Sequence, residues 1–361
     1  MKAWRECLLG DIVNLKRGYD LPQNERSSGP FPVVSSSGIT DHHSEAKVKA
    51  PGVVTGRYGT LGQVFFIETD YWPLNTSLYV QDFKGNDPRF ICYFLGTLSF
   101  GSQNAAGAVP GVNRNHLHAM QVRIPPLPIQ HRIASILSAY DDLIENNQRR
   151  MRILEDMARS LYREWFVKFR FPGHEKAKMV SSPLGDIPEG WEVMKLGEVV
   201  ELNYGKALKK EDRKDGEFPV FGSSGIVGTH DVALVKGPGI IVGRKGNVGS
   251  VFWCDEDFFV IDTAFFVTSS LPLRFLFYVF PTLNFINSDA AVPGLSRNQA
   301  YTVELIVPPL TLLEKFCGLA GTIEGQAATL QRQIHNLRRT RDLLLPRLMS
   351  GQIDVEAGIH E

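Results

Sequence analysis

The chain has few cysteines and no long hydrophobic run. Its four cysteines, Cys7, Cys92, Cys254 and Cys317, are scattered, and none belongs to a C-x-x-C pair. This scarcity argues against a zinc site or a disulfide framework, and it fits the reducing cytoplasm. No apolar stretch reaches the roughly 18 residues that span a bilayer, and the first residues do not resemble a signal peptide. We therefore expect a cytoplasmic protein without a membrane segment.

The chain also lacks net charge. Its 361 residues include 39 lysines and arginines against 39 aspartates and glutamates. A protein that binds DNA by itself is usually basic, so this balance argues against such a role unless basic residues cluster locally. Hydrophobic residues make up 43% of the sequence, which is enough for the packed cores of two or three domains.

The sequence contains an internal repeat. When the sequence is shifted by 187 residues, Trp4 falls on Trp191, and the SSGI segment at 36–39 falls on the SSGI segment at 223–226. Further along the shift becomes 183, where VPGVNRN at 109–115 matches VPGLSRN at 292–298. Such an ordered series of matches, in segments of ordinary composition, indicates two copies of one module.

Each copy ends in a long segment with apolar residues three and four positions apart, which is typical of a helix that packs along one seam. The first segment, residues 130–166, would form a helix about 55 Å long. Its seam comprises Ile133, Leu137, Tyr140, Ile144, Asn147, Met151, Leu154, Ala158, Leu161 and Trp165. The second seam comprises Phe316, Ala320, Ile323, Ala327, Leu330, Ile334, Leu337, Arg341, Leu344 and Leu348.

Neither helix can bury its seam alone. We expect the two helices to form an antiparallel coiled coil that separates two globular domains, with the single Asn147 helping to fix the register. The alternative is an ordinary amphipathic helix that lies on its own domain. The outer faces of the helices could also serve a partner protein.

Before each helix lies a globular domain of mixed pattern. Short apolar runs bounded by glycine and proline predict strands at 32–34, 52–56, 63–68 and 77–83, and helices are predicted at 88–99 and 272–281. The fold class is therefore α+β, with two homologous α/β domains, an antiparallel two-helix coiled coil and a pseudo-two-fold internal repeat. The predicted boundaries are 1–128 and 183–308 for the domains, and 129–182 and 309–361 for the helical segments.

A glycine-rich turn recurs in both domains. Its glycines are Gly56, Gly59 and Gly62 in the first copy and Gly243, Gly246 and Gly249 in the second. The pattern is neither a Walker loop nor a dinucleotide fingerprint. Arg57 and Arg244 are constant within it, whereas Tyr58 and Thr60 in the first copy become Lys245 and Asn247 in the second. The turn is either purely structural or presents an arginine and backbone amides to phosphates.

Further basic residues are candidates for contacts with DNA, because Lys and Arg neutralise phosphates and Arg can form two hydrogen bonds with guanine. They are Lys16 and Arg17 after the first strand, Lys206, Lys209, Lys210 and Arg213 in the second copy, and Arg114 and Arg297 in turns just before the long helices. The alternatives are a solvated surface loop for the first two groups and a structural cap for the two turns.

Catalytic candidates do not recur in the repeat. Asp41 with Glu45 and Lys47 resembles a nuclease motif, and His116 and His118 resemble metal ligands, but their repeat positions carry other residue types. His43 does recur as His230, without an accompanying carboxylate or cysteine cluster. The sequence also lacks the Asp/Asn-Pro-Pro-Tyr/Phe motif of amino-methyltransferases. We therefore predict no catalytic residues and no metal site.

The ordered features together resemble the specificity subunit of type I restriction–modification systems. Each half opens with W-x-x-x-x-L-G, contains the G-R-x-G-x-x-G turn, and ends in PPL and a long helix. The segments YREWFVKFRFPGHE at 162–175, SPLGDIPEGWEVMKLGE at 182–198 and LRRTRDLLLPRLMSGQI at 337–353 resemble conserved segments of this family. One departure is that the Glu-Gln usual after the prolines is Ile129-Gln130 in one copy and Leu313-Glu314 in the other.

The resemblance implies two target-recognition domains, each of which reads half of a bipartite site in double-stranded DNA. It also implies that the helices set the spacing and dock two modification subunits, which use S-adenosylmethionine to methylate adenine. Restriction subunits that use ATP and Mg2+ would join them, and this chain would bind none of these cofactors. Two rival interpretations are a stand-alone nuclease or methyltransferase and a protein-interaction scaffold without a DNA role.

Local charge qualifies this interpretation. Residues 1–128 carry 12 basic and 10 acidic side chains, whereas residues 185–308 carry 11 basic and 16 acidic ones. The second domain can therefore bind phosphates only through a local patch, and we expect modification subunits to supply much of the affinity for DNA.

Overall fold

The computed structural model describes residues 4–98, 111–283, 285 and 294–355. The chain divides into two compact units. Unit 1 comprises Met1–Gln148 and Arg332–Glu361, and unit 2 comprises Arg149–Gln331. Each unit thus contains one globular domain and a part of both long helices. The boundaries predicted from the sequence separate each globular domain from its helical segment, whereas the two units each contain both. Those boundaries therefore stay a prediction.

The described part of the first domain is built from short strands and helices. In chain order these are β1 (Arg5–Leu8), α1 (Leu9–Ile12), β2 (Asn14–Arg17), β3 (Phe31–Ser35), β4 (Gly38–His43), β5 (Gly52–Gly56), β6 (Val64–Ile67), β7 (Trp72–Pro73), β8 (Ser77–Asp82), α2 (Pro88–Thr97), α3 (Arg114–His118) and β9 (Gln121–Ile124). The main antiparallel sheet has the order β2-β8-β5-β6, a second sheet has the order β4-β3-β7, and β1 pairs with β9.

The second domain repeats this plan after a hairpin of β10 (Met179–Ser182) and β11 (Gly185–Pro188). Its elements are β12 (Glu192–Lys195), α5 (Leu196–Val199), β13 (Val200–Tyr204), β14 (Phe218–Gly222), β15 (Gly225–His230), β16 (Gly239–Gly243), β17 (Val251–Cys254), β18 (Phe259–Val260), β19 (Ala264–Ser269), α6 (Leu273–Val279), α7 (Arg297–Tyr301) and β20 (Glu304–Val307). The sheets β13-β19-β16-β17, β15-β14-β18 and β12-β20 correspond one to one with those of the first copy. The predicted duplication and the mixed α+β class are confirmed.

The central strand of each main sheet is buried along its whole length, as β5 and β16 show. In the first domain α2 covers this sheet with Phe90, Ile91, Phe94 and Leu95. The helix starts where Pro88 follows Asp87, whose carboxylate accepts a hydrogen bond from the Phe90 amide at 2.7 Å. The predicted helix at 88–99 thus ends two residues early, at Thr97, and its last position lies outside the described residues.

The two long helices are α4 (Leu127–Tyr162) and α8 (Leu310–Met349). The first begins three residues before the predicted position, because Pro128 is tolerated in a first helical turn, where its missing amide would have no partner. It is 36 residues long, or about 54 Å, and a π-helical turn at Arg163–Val167 follows it.

In unit 1 the helices run antiparallel. Near the domain, Arg341 of α8 donates to Asp141 of α4 at 2.5 Å. Further along, the Asn147 side-chain amide donates to Gln333 at 3.3 Å. As the residue number rises on α4 it falls on α8, so the predicted antiparallel pairing is confirmed here. Asn147, which is 8% exposed, faces a polar partner across the seam, as a register-setting residue should.

In unit 2 the contact between the first helical segment and α8 is aromatic. The Phe316 ring of α8 lies 4.9 Å from the Phe166 ring, 6.2 Å from the Trp165 ring and 6.3 Å from the Tyr162 ring. Every seam position in both helices is buried or half-buried. The alternative of a helix on its own domain also holds in part, since Ile133 and Leu137 pack into the core of the first domain.

The joint between helix and domain differs between the units. In unit 1 the Gln130 amide donates to Asn86 at 2.9 Å and to the Pro125 carbonyl at 3.0 Å, and its oxygen accepts from the Asp87 amide at 3.0 Å. Leu313, the repeat equivalent of Gln130, is fully buried in the core of unit 2. The joint is therefore made of directional hydrogen bonds in unit 1 and of apolar packing at the equivalent position in unit 2.

Candidate nucleic-acid interface

The glycine-rich turns join β5 to β6 and β16 to β17, and their glycines are required by the backbone. Gly59 and Gly246 both have φ of +78°, where a side chain is strained. A Cβ atom at Gly56 would overlap the Thr60 carbonyl oxygen, and one at Gly243 would overlap that of Asn247. The structural interpretation therefore accounts for the glycines. It leaves the side chains between them free for another role.

Each turn is hydrogen-bonded to the segment that precedes the next short helix. The Val112 amide donates to the Arg57 carbonyl at 2.8 Å, and the Leu295 amide donates to the Arg244 carbonyl at 2.8 Å. These two bonds bring together regions that the sequence treated as separate candidates, about 50 residues apart. Asn113 and Ser296 cap α3 and α7 with their side chains, so the predicted structural cap is also present.

In the second domain this arrangement assembles two arginines on one ring. The Arg244 guanidinium lies 4.8 Å from the centre of the Tyr204 ring, and the Arg297 guanidinium lies 5.1 Å from it. Arg244 also donates to the Asp262 carbonyl at 3.0 Å. The Nε atom of Arg297 is buried and has no hydrogen-bond partner among the described residues. The predicted residues Arg244 and Arg297 thus form one cluster with Tyr204, a residue that sequence reasoning missed.

The first domain carries the same two arginines in a different setting. Arg57 lies 4.6 Å above the ring of its neighbour Tyr58, and Arg114 is exposed at the start of α3. The repeat equivalent of Tyr204 is Arg17, which pairs with Asp20 at 3.5 Å. At these two positions the first copy has Arg17 and Tyr58, whereas the second has Tyr204 and Lys245. The aromatic residue and the cation have therefore exchanged positions between the copies.

The remaining predicted contacts lie in several places. Lys16 and Arg17 lie after the first strand, as the sequence suggested, and they are the last two residues of β2, which α1 separates from β1. Thr60 and Asn247 occupy exposed turn tips. Lys206, Lys209 and Lys210 are exposed between β13 and β14. Arg213 is engaged elsewhere, since it donates to the Val227 carbonyl at 2.6 Å.

The histidines that suggested chemistry have structural partners. His43 and its equivalent His230 each accept a backbone hydrogen bond at Nδ1, from Ser27 at 3.1 Å and from Lys214 at 3.2 Å. His118 accepts the Leu15 amide at 2.9 Å through Nε2, and burial lowers its pKa.

The nuclease-like carboxylate also has a structural partner. Asp41 pairs with Arg26 at 3.0 Å, and the hydrogen bond from the His42 amide, together with Arg26, lowers its pKa. Within residues 4–98, 111–283, 285 and 294–355, no group of three His, Cys, Asp or Glu side chains is placed to hold a metal ion.

A duplicated mixed α/β domain, with one long helix after each copy, defines the class of duplicated modules to which this chain is similar. The family model for the type I restriction modification DNA specificity domain matches residues 1–155 and 188–311. The chain belongs to this family. The resemblance drawn from the sequence is thereby confirmed.

Two curated relatives come from Methanocaldococcus jannaschii. The type I restriction enzyme MjaIX specificity subunit is 24% identical over 73% of this chain and 66% of its own length. The MjaVIII specificity subunit is 34% identical over 57% of this chain and 51% of its own length. The chain thus matches half to nearly two thirds of the length of these relatives.

A solved structure shares the fold. The S subunit of a type I restriction–modification system from M. genitalium superimposes with a TM-score of 0.66 at 17% identity, covering 96% of both chains. Across the described residues, no helix is both long and apolar enough to cross a membrane.

Proposed function

We propose that this chain is the DNA sequence-recognition subunit of a type I restriction–modification complex and is not itself an enzyme. Each globular domain would read one half of a bipartite site in double-stranded DNA. The observation that carries this proposal is the recurrence of two arginines in each homologous domain: Arg57 in the glycine-rich turn and Arg114 at the start of α3, with Arg244 and Arg297 at the equivalent positions. Arginine neutralises phosphates and forms paired hydrogen bonds with guanine, and two such sites in one chain suit a two-part target.

The long helices would set the spacing of the half-sites. A helix of 36 residues is about 54 Å long, which exceeds one turn of DNA at about 34–36 Å. The antiparallel pairing in unit 1 supports such a spacer. Removal of one heptad from each helix, residues 146–152 and 328–334, should shorten the gap between the half-sites by about 10 Å, or about three base pairs, while both half-sites keep their sequences.

Partner subunits would dock on the outer faces of the helices. Several large apolar side chains there do not belong to the seam and are half exposed, namely Leu143, Ile153, Met157, Leu319 and Leu343. Isolated exposed apolar residues are common on protein surfaces. These side chains lie outside the seam, however, so they add little to the stability of the helix pair and are available to a partner. They suit two modification subunits, which would bring S-adenosylmethionine, and restriction subunits that use ATP and Mg2+ would join the complex.

The charge distribution predicts that affinity for DNA is shared with those partners. The second domain carries five more acidic than basic residues between positions 185 and 308. Long-range attraction to phosphates must therefore come largely from elsewhere in the complex. We expect the isolated chain to bind DNA weakly at physiological salt, and nanomolar sequence-specific binding by the lone chain in a gel-shift titration would contradict this.

The test is to express the chain with its modification subunits in a strain that lacks other adenine methylation, and to sequence methylated adenines genome-wide. The expected result is one bipartite motif with a fixed gap. The heptad-deleted chain should yield the same half-sites with a shorter gap, and an unchanged gap would contradict the spacer role. Absence of any motif from an assembled complex would favour the scaffold interpretation. Methylation by the chain alone would favour the enzyme interpretation.

A further inference from the structure

The cluster of Arg244 and Arg297 over the Tyr204 ring lies at the surface of the second domain. Tyr204 ends β13 and is 48% exposed, so the ring is not a core residue. Its other face contact is Phe265, at 5.0 Å between ring centres, which holds the ring against the sheet. The ring therefore stands fixed at the surface with two guanidinium groups beside it.

The two guanidinium groups keep donors available. Within the described residues, neither arginine forms an ion pair with a carboxylate. Arg244 is held by one bond from Nη1 to the Asp262 carbonyl. The guanidinium carbon of Arg297 lies 5.1 Å from the Tyr204 ring centre and 6.0 Å from the Tyr301 ring centre, and its Nε is buried, so only its Nη donors could reach a ligand. Contact with the rings restrains each guanidinium group without using its N–H donors.

A fixed guanidinium plane with free donors is what paired recognition of guanine requires. Guanine presents O6 and N7 side by side in the major groove, and arginine can donate to both atoms. A phosphate contact needs no fixed plane, because phosphates attract any nearby cation. The exposed lysines at 206, 209 and 210 follow Tyr204 directly and can supply such charge contacts.

We propose that Arg297, restrained by its contacts with the rings of Tyr204 and Tyr301 and flanked by Arg244, reads a guanine in the half-site of the second domain. Tyr204 acts as a positioning residue. This inference rests on the proposed function, because it assigns a base to one of the two readers. The first domain lacks the equivalent ring, since Arg17 stands there, so the assignment applies to the second half-site alone.

The test uses the complex with its modification subunits and measures methylation of a DNA library in which each position of both half-sites is randomised in turn. Arg297→Lys keeps the charge but loses the planar pair of donors. The expected result is that one guanine of the second half-site becomes degenerate, with discrimination at that position falling about tenfold or more. The first half-site should stay unchanged.

Tyr204→Leu should produce the same relaxation, because it frees the arginine plane, whereas Tyr204→Phe should retain the wild-type preference. Arg114→Lys in the first domain is the matched variant, and its effect should be confined to the first half-site. Lys236→Gln, at the opposite end of β16 from the turn, should alter neither half-site. Thermal melting and co-purification with the modification subunits establish that each variant is folded and assembled.

Unchanged preferences in Arg297→Lys, alongside a wild-type bipartite motif, would overturn this inference and leave the proposed function intact. A second half-site without guanine would overturn it equally. A uniform loss of methylation across all sequences, from a folded and assembled variant, would mean that Arg297 contacts a phosphate, and would also overturn it. Failure of the wild-type complex to methylate any bipartite motif would instead remove the proposed function itself.

Discussion

The two units perform the same structural tasks with different side chains. In unit 1 the Leu15 amide of β2 donates to His118, and in unit 2 the equivalent amide of Leu202 donates to the Tyr301 hydroxyl, both at 2.9 Å. A ring nitrogen and a phenol oxygen thus serve as the same acceptor. The comparison teaches that a duplicated fold retains the position of a hydrogen-bond acceptor more strictly than the residue type that supplies it.

The contact between each domain and its long helix shows the same rule. Tyr93 of α2 donates to Asp141 at 2.5 Å, and Tyr278 of α6 donates to Glu324 at 2.5 Å. Burial raises the pKa of Tyr278 to about 12, so its hydroxyl remains a donor at neutral pH. The arginine that completes each group has a different origin, because Arg341 comes from the opposite helix, whereas the partner of Glu324 comes from α6 itself.

The largest expected difference between the units lies in the seam. Phe316 is fully buried and contacts aromatic rings, whereas its repeat equivalent Ile133 is 1% exposed in the core of unit 1. Phe316→Ala should reduce the free energy of unfolding by about 3–5 kcal/mol, and Ile133→Ala by about 2–5 kcal/mol, through lost burial and a cavity. Calorimetry of both variants checks this, and a consistently larger loss in Ile133→Ala would reverse the comparison.

The acidic residues at the domain–helix contact should rank next. Glu324→Ala removes the acceptor for Tyr278 and the partner of Arg274, at a cost of about 2–3 kcal/mol for bonds to a charged group. Asp141→Ala should cost less, about 1–2 kcal/mol, because Arg341 retains Asp342 at 2.8 Å.

Denaturant midpoints measure both losses. Glu324→Gln is the control, since it keeps an acceptor for the tyrosine. Equal losses for the two alanine variants would show that the second carboxylate beside Arg341 does not compensate.

The exchange of His118 for tyrosine predicts a pH effect in unit 1 alone. Burial, with Arg114 and Lys84 nearby, lowers the pKa of His118 below its ordinary value of 6.5. The folded state therefore favours the neutral ring, and the stability this contributes is present above pH 6.5 and is lost as the pH falls from 6.5 through the lowered pKa of the folded state. His118→Tyr should remove this pH dependence. The free energy of unfolding involved is less than about 1 kcal/mol, because the ring is partly solvated.

Thermal melting of the wild type and of His118→Tyr between pH 5 and pH 8 measures the difference. Tyr301→His is the reciprocal variant and should add a pH dependence to unit 2. Parallel melting curves for wild type and His118→Tyr would contradict the assignment.

The smallest effect is expected at Asn147, whose repeat equivalent is Leu330. Asn147→Leu should raise the melting temperature slightly, because an apolar seam residue replaces a polar one. The corresponding gain in the free energy of unfolding is less than about 1 kcal/mol. A lower melting temperature would show that the bond to Gln333 stabilises the pair outright.

Periodicity and repeats predicted the fold class, the duplication and the helix pairing, because a buried seam and a buried central strand leave regular apolar spacing in the sequence. The strands β1, β4, β7 and β9 were missed. Of these, β1, β7 and β9 have two to four residues and pair with strands far along the chain, so no local pattern marks them. The first long helix was predicted from residue 130 and begins at Leu127, because Pro128 fits a first helical turn.

The candidate site was predicted in parts. Arg57, Arg114, Arg244 and Arg297 followed from their recurrence in the two copies. Tyr204 did not, because its repeat equivalent is an arginine, and the comparison of copies discards residues that differ. The signal that could have revealed it is a compensating change: Tyr58 of the first copy becomes Lys245 where Arg17 becomes Tyr204. Each copy thus has one aromatic ring and one cation at these two positions. The structural role of Arg213 depends on a loop conformation that the sequence pattern does not encode.

The polar joint at Gln130 has a mechanical consequence for the first domain. Three directional bonds to Gln130 resist any twist of the domain about the start of α4, since each loses strength as its angle opens. Leu313 offers only contact without direction at the equivalent position, so the directional bonds that hold the second domain to its long helix are those of Tyr278 and Arg274 with Glu324. By these bonds the first domain is fixed to its helix at two places, Gln130 and Asp141, and the second domain at one, Glu324.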